Sequence, residues 1–245
     1  MKSLILISRD APEEAARALS ERGEILRLPP DPALPAPVAS HPDMIAFVCG
    51  PRVVAAREYL DTYPDVARAI SAGPGVRVIP DDGERGPVYP LDVGLNCLVI
   101  GDFLFCGKQS ASPGVLRLAG ELGLTVVPVN QGYAACSALA AGDAVVTADP
   151  SVADAAERAG LAVLRISPGG IELPGYDAGF IGGASGVIGD TVFFFGDPST
   201  HPDGDRIAAF LAARGFRSAP LRPGPLLNLG GIKAISRTGR RRAPR

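Results

Sequence analysis

Apolar and polar positions alternate along this chain in a unit that recurs. LNCLVIGDFLFCGKQS (95–110), SALAAGDAVVTADPS (137–151) and SGVIGDTVFFFGDPS (185–199) each hold a short apolar run, a Gly-Asp pair, a second apolar run and a polar turn. Two β-rich runs joined by Gly-Asp predict a hairpin, because glycine supplies the positive φ that a tight two-residue turn needs. After each hairpin come apolar residues at helical spacing ending in glycine: GVLRLAGELG, SVADAAERAG and GDRIAAFLAARG. Glycine is the usual residue just past a helix end. A strand follows each time: LTVVPV, LAVLRI and FRSAPL. The predicted unit is hairpin, helix, strand, about 45 residues long.

The same grammar reaches the N-terminal half. DMIAFVCGPRVVAA predicts a hairpin turning near Gly50-Pro51, followed by a helix around PDVARAISAG and the strand VRVIP. At the start, SLILIS leads to APEEAARALSERG and EILRLP, with Pro12 in the first helical turn and Glu13 and Glu14 complementing the helix dipole. This first unit lacks its opening hairpin strand, while GGIKAIS (230–236) is a strand with no partner after it. The two complete one another if the last strand pairs with the first. Ring closure of that kind removes exposed sheet edges. The expectation is one α/β domain over residues 1–236, five ββαβ repeats with pseudo-five-fold symmetry, the terminal strands closing the ring.

Composition adds limits. Of 245 residues, 47% are hydrophobic and 20% charged, as in an ordinary globular chain. The apolar runs are strand-length, so no membrane span is expected, and MKSLILISRD lacks a cleavable signal pattern. Four cysteines (49, 97, 106, 136) without CxxC spacing read as reduced thiols of a cytoplasmic protein. Five of the 24 basic residues crowd into the last ten, SRTGRRRAPR; the rest of the chain is net acidic, which argues against a broad nucleic-acid face. Residues 237–245 are expected to be a disordered basic tail, read either as a solubilising tail or as an anion-binding arm. Oligomeric state is not legible.

Four strings carry a resemblance: HPDM (41–44), YPLDVGLN (89–96), GYAACS (132–137) and PGYDAGFIGGASG (174–186). They occur in order over nearly the whole chain, and with the five-unit pattern the chain resembles a bacterial family of unknown function within the guanidine-modifying-enzyme, or pentein, fold. That fold is the five-bladed α/β propeller of arginine deiminase, dimethylarginine dimethylaminohydrolase and the amidinotransferases. A non-catalytic ribosome anti-association factor shares it.

The resemblance implies a central channel where the loops entering each hairpin meet. It would be rimmed by His41, Asp43, Asp92, Asn96, Tyr133, Cys136, Ser137, Asp177 and Asn228. Guanidino chemistry uses a thiolate to attack the guanidinium carbon, a histidine to move protons, and carboxylates to hold the cation. The resemblance places the cysteine in NLGGIKAIS, where Ala234 stands, and the histidine in GFIGGASG, near Phe180. The usual catalytic pair is therefore absent from its usual places, while Asp92 plausibly remains as a holding carboxylate.

Cys136 and His41 offer a substitute pair from other blades, with Asp43 or Asp92 orienting the imidazole. The plainer readings are a buried small hydrophobe for Cys136 and a turn-capping histidine for His41, with Asp43 bonded to local backbone. Asp92 and Asn96 read as turn residues, and the glycines at 179, 182, 183 and 186 as tight bends or room for an anion. Neither histidine has zinc spacing, and no cofactor is called for. Three functions remain open. One is binding of a cationic, guanidino or amino-acid-like small molecule in the channel. The others are non-catalytic binding of a macromolecule and a thiol hydrolase using Cys136.

Overall fold

The computed structural model describes residues 3–73 and 75–235. The chain opens with β1 (Ser3–Ser8), α1 (Glu13–Ser20) and β2 (Gly23–Leu28). The second unit holds α2 (Pro42–Ile45), β3 (Ala46–Cys49), β4 (Arg52–Ala56), α3 (Arg57–Thr62), α4 (Pro64–Ser71) and β5 (Arg77–Asp81). The third is β6 (Leu98–Ile100), β7 (Phe103–Gly107), α5 (Pro113–Leu122) and β8 (Thr125–Val129). The fourth is α6 (Ala134–Ser137), β9 (Ala138–Ala141), β10 (Ala144–Thr147), α7 (Pro150–Arg158) and β11 (Ala162–Arg165). After β12 (Ile171–Glu172) come β13 (Ser185–Ile188), β14 (Thr191–Phe194), α8 (Gly204–Ala212) and β15 (Arg217–Pro220), then β16 (Leu226–Leu227) and β17 (Lys233–Ile235).

Five three-stranded sheets share one plan: an antiparallel pair followed by a parallel pair across a helical crossover. The hairpins turn on Gly50, Gly101, Gly142 and Gly189, each with φ between 54° and 64°. Only glycine enters that region without strain, so the turn residue and the pairing register are set together. Beyond the turn, the carbonyl of the residue after the glycine accepts the N–H of the returning strand: Pro51 from Arg77, Asp102 from Thr125, Asp143 from Ala162 and Asp190 from Arg217. These aspartates are hairpin residues, as their place in the repeat predicts. The fifth sheet joins the two ends, with β1 antiparallel to β17 and parallel to β2, Ile5 facing Ala234 and Ile25. The sheets are separate three-stranded units; no sheet closes on itself among the described residues.

In every sheet the central strand is the most buried, because a strand flanked on both sides inside the molecule is covered on both faces. Ile5, Leu6, Ile7, Val53, Val54, Leu104, Phe105, Val145, Val146 and Phe194 are fully buried. Each such side chain contributes about 1.5–3 kcal/mol through lost contact with water. The crossover helices start on Ser112, whose hydroxyl accepts from Val115 N–H at 3.3 Å, and Asp149, which accepts from Val152 N–H at 2.9 Å. One face of each helix packs its apolar side chains onto its sheet.

The first strand of each hairpin and β17 are the innermost. A hollow of about 170 Å³ is lined by Phe47 of β3, Leu98 of β6, Leu139 of β9, Gly186 of β13 and Lys233 of β17. The structure adds elements that the pattern does not predict. Short helices α2 and α6 stand where entry loops were expected, α3 precedes α4, and β12 pairs with β16 in parallel. The expected tail at 237–245, and the domain boundary at 236, lie outside the described residues. Among those residues no helix is long and apolar enough to cross a membrane.

Candidate functional site

A cavity of about 320 Å³ gathers residues from four of the five predicted loop motifs. His41, Asp43 and Met44 come from α2 and its N-terminus, Tyr133 and Cys136 from α6 and its N-terminus, and Asn228 from the segment between β16 and β17. Tyr176, Asp177 and Phe180 come from the exposed loop before β13. Six of the nine sequence-predicted site residues thus share one space.

Short helices make this convergence work. Pro42 stands in the first turn of α2 with His41 as the preceding residue. The His41 side chain makes no capping bond, so the turn-capping reading does not describe it. Its carbonyl accepts from Met44 and Ile45 N–H, and Asp43 N–H donates to Gly230 O at 3.1 Å. Helix α6 has its first N–H groups capped from another unit. Asn96 Oδ1 accepts from Ala135 N–H at 2.9 Å and from Cys136 N–H at 3.1 Å. Four N–H groups at any helix start lack partners within the helix, so a remote side chain here both satisfies two of them and fixes where Cys136 sits.

Glycines let the neighbouring loop come close. A Cβ on Gly183 would lie 2.0 Å from Asn228 Oδ1 and 2.7 Å from Cys136 Sγ. Gly183 N–H also donates to Cys136 O at 2.9 Å. The glycines at 179, 182, 183 and 186 are not positive-φ bends. Gly182 and Gly183 lie in the turn over 181–184, as the bend reading expects, and all four make room for packing against α6, Asn228 and Ile232.

Polar atoms in the cavity are unevenly satisfied. Asn228 Nδ2 donates to Cys136 Sγ at 3.1 Å, while its Oδ1 accepts from Gly230 N–H at 3.1 Å. Tyr133 donates its hydroxyl to Asp92 Oδ2 at 2.7 Å. Asp43 is 1% exposed, and its carboxylate oxygens accept from no N–H or O–H; the thiol of Cys136 is the weak donor beside them. The expectation that it bonds local backbone is therefore corrected. Asp92 Oδ1 is buried and unpartnered.

Protonation follows this environment. Burial pushes the Cys136 thiol well above its ordinary range; the charge of Asp43 and a hydrogen bond to its carboxylate add to the rise, while the bond from Asn228 and the charge of Lys233 oppose it. Burial also pushes the His41 imidazole down, against an upward pull from Asp43 and then Asp10. At neutral pH the cavity therefore holds a neutral thiol and a neutral imidazole. Burial first, then the bond to Asp92, raises the Tyr133 phenol.

Three expected site residues do not line the cavity. Asp92 stands behind Tyr133 and acts on it through the hydroxyl bond. Asn96 is fully buried, and besides capping α6 it donates Nδ2 to Met44 Sδ at 3.2 Å. Ser137 donates to Ala134 O at 3.2 Å and faces a neighbouring hollow of about 260 Å³, which shares Phe180 with the cavity. Ala234 lies in β17 opposite Ile5. His201 is buried elsewhere, its Nδ1 accepting from Asp203 N–H at 3.0 Å. Cavity residues that the sequence reading missed are Val38, Met44, Leu173, Tyr176 and Ala178. Tyr176 sits inside the quoted PGYDAGF string and was legible there; the apolar ones carry no chemical signal.

The family model of DUF6873, a family of unknown function, matches residues 6–233. The chain belongs to the DUF6873 family. Comparison with curated protein sequences gives no match. Among solved structures, the DUF6873 chain is similar to ArgZ, an arginine dihydrolase from the ornithine-ammonia cycle in cyanobacteria, with TM-score 0.54 and 16% identity over 90% of this chain and 37% of that one. It is also similar to DDAH from Pseudomonas aeruginosa complexed with citrulline, with TM-score 0.53 and 13% identity over 90% and 92% of the two chains. AgrE in a ternary complex with ornithine and NAD+ gives TM-score 0.56 and 12% identity over 96% and 39%. The DUF6873 chain thus spans well under half the length of ArgZ and AgrE, and nearly all of DDAH. These likenesses establish the guanidine-modifying-enzyme, or pentein, fold.

Proposed function

We propose that this protein binds a small organic cation in the cavity between α2, α6 and the loop before β13. The observation that carries the reading is Asp43, a buried carboxylate that lines the cavity with no N–H or O–H donor on either oxygen and, among the described residues, no cation paired to it. An isolated buried charge costs several kcal/mol unless something pairs with it. A ligand cation supplies that partner, and the ligand becomes part of what keeps the charge in place.

The reading treats the five sheets as blades about a common axis, with the chain ends sharing one blade, and the cavity as one mouth of the central channel. Two observations support this. The shared plan of the sheets is one, and the 170 Å³ hollow lined by one strand from each sheet is the other. Relatives of the same fold are recorded with citrulline and with ornithine, which makes a nitrogenous ligand reasonable here. Four free thiols, all buried, fit the reading of a cytoplasmic protein.

A second reading is thiol chemistry at Cys136. It is favoured by one fact: His41, Asp43 and Cys136 share the same cavity. The resting thiol is protonated, so in this reading a bound cation beside the sulfur would have to draw it toward the thiolate. Binding of a macromolecule by the basic tail rests on residues outside those described.

Thermal melting against a panel of amines and guanidines tests the main reading. Saturable stabilisation by at least one cation, absent in Asp43→Asn, is expected. A flat response across the panel overturns it.

A further inference from the structure

Resting on that reading, we infer that the ligand is an alkyl cation without a carboxylate, so that amino acids are excluded. Among the described residues, no lysine or arginine lines the cavity. Its only basic side chain is His41, which burial holds neutral. Its charged groups are Asp43 and Asp177. The walls toward solvent are Tyr176 and Phe180, with Tyr133 on the inner side. Aromatic faces attract cations and give an anion nothing.

Among the described residues, a carboxylate at the far end of a ligand finds no cation outside either. The wider hollow of about 640 Å³ beyond Tyr176 and Asp177 has no lysine or arginine in its lining and adds a further carboxylate, Glu172. Lys233 lines the central hollow on the other side of Asp43 and does not line the cavity. An amino acid would therefore bring an anion against the carboxylates of Asp43, Asp177 and Glu172, with Lys233, the cation whose charge reaches Cys136, lying behind Asp43 rather than in the cavity. The head group can be an amine, a quaternary ammonium or a guanidinium, since each pairs with Asp43 and packs against the rings.

Matched pairs that differ in the carboxylate test this by titration calorimetry: putrescine against ornithine, agmatine against arginine, choline against glycine betaine. In at least one pair the carboxylate-free member is expected to bind about tenfold or more tightly. Ala178→Lys, at an exposed position on the rim, is expected to narrow that ratio by giving the carboxylate a counter-charge. Equal or tighter binding of the amino acids overturns the inference while leaving cation binding intact. Absence of binding by all six removes the cation reading itself.

Discussion

Asn228 donates its side-chain amide to the sulfur of Cys136 across 3.1 Å, joining residues 92 apart in sequence. The contact fixes the thiol at the cavity wall, beside the carboxylate of Asp43. Burial and that carboxylate keep the sulfur protonated, and the amide bond only partly offsets them.

Native Cys136 is therefore expected to react slowly with iodoacetamide at neutral pH, about tenfold or more below a free thiol, because only the thiolate attacks. Mass spectrometry of labelled peptides over time measures it. A rate equal to that of free cysteine contradicts the protonated, buried thiol.

Asn96→Ala leaves the buried N–H groups of Ala135 and Cys136 without an acceptor. The expected cost is about 2–4 kcal/mol in urea unfolding, since each orphaned buried donor carries its desolvation penalty. A loss below about 0.5 kcal/mol means that the cap is unimportant.

Gly183→Ala forces a methyl into Asn228 Oδ1 and Cys136 Sγ. Overpacking of this kind costs about 1–3 kcal/mol. Gly189→Ala has open space around it but φ of 64°, so its cost of about 1–2 kcal/mol comes from backbone conformation alone. The two separate in their effect on the site: only Gly183→Ala should weaken cation binding.

His41 makes stability depend on pH. Its native imidazole is held below the ordinary value of 6.5, so the unfolded chain takes up a proton first as pH falls. The contribution is complete above about pH 6.5 and is lost as pH drops toward the native value. Melting at about pH 7.5 and 5.5 should show a larger drop for the wild type than for His41→Gln. Equal drops would remove His41 from the acid response.

The repeat was legible because hairpin glycines, helix periodicity and closing glycines recur at one spacing, and each encodes a local conformation. The pairing of β1 with β17 was legible from what each end lacked. Six of the candidate-site residues were legible as members of motifs that line one cavity. Their internal roles were not. Asn96 does close a turn, its N–H donating to Val93 O, but its capping role was hidden because those partners lie 39 and 40 residues away. The turn at Gly182 and Gly183 was legible, but their close approach to Cys136 and Asn228 was not, because close packing leaves no local signature. Ser137 follows Cys136 directly, yet in α6 its hydroxyl turns back to Ala134 rather than toward the cavity.

The central claim is that Asp43 awaits a cation, and thermal melting of Asp43→Asn with and without saturating ligand tests it most directly. The variant removes a buried unpaired charge at nearly constant shape. The account predicts a melting temperature at or above the wild type without ligand, and no further rise when the cation is added. A variant that melts lower and still gains the full ligand-induced shift contradicts it.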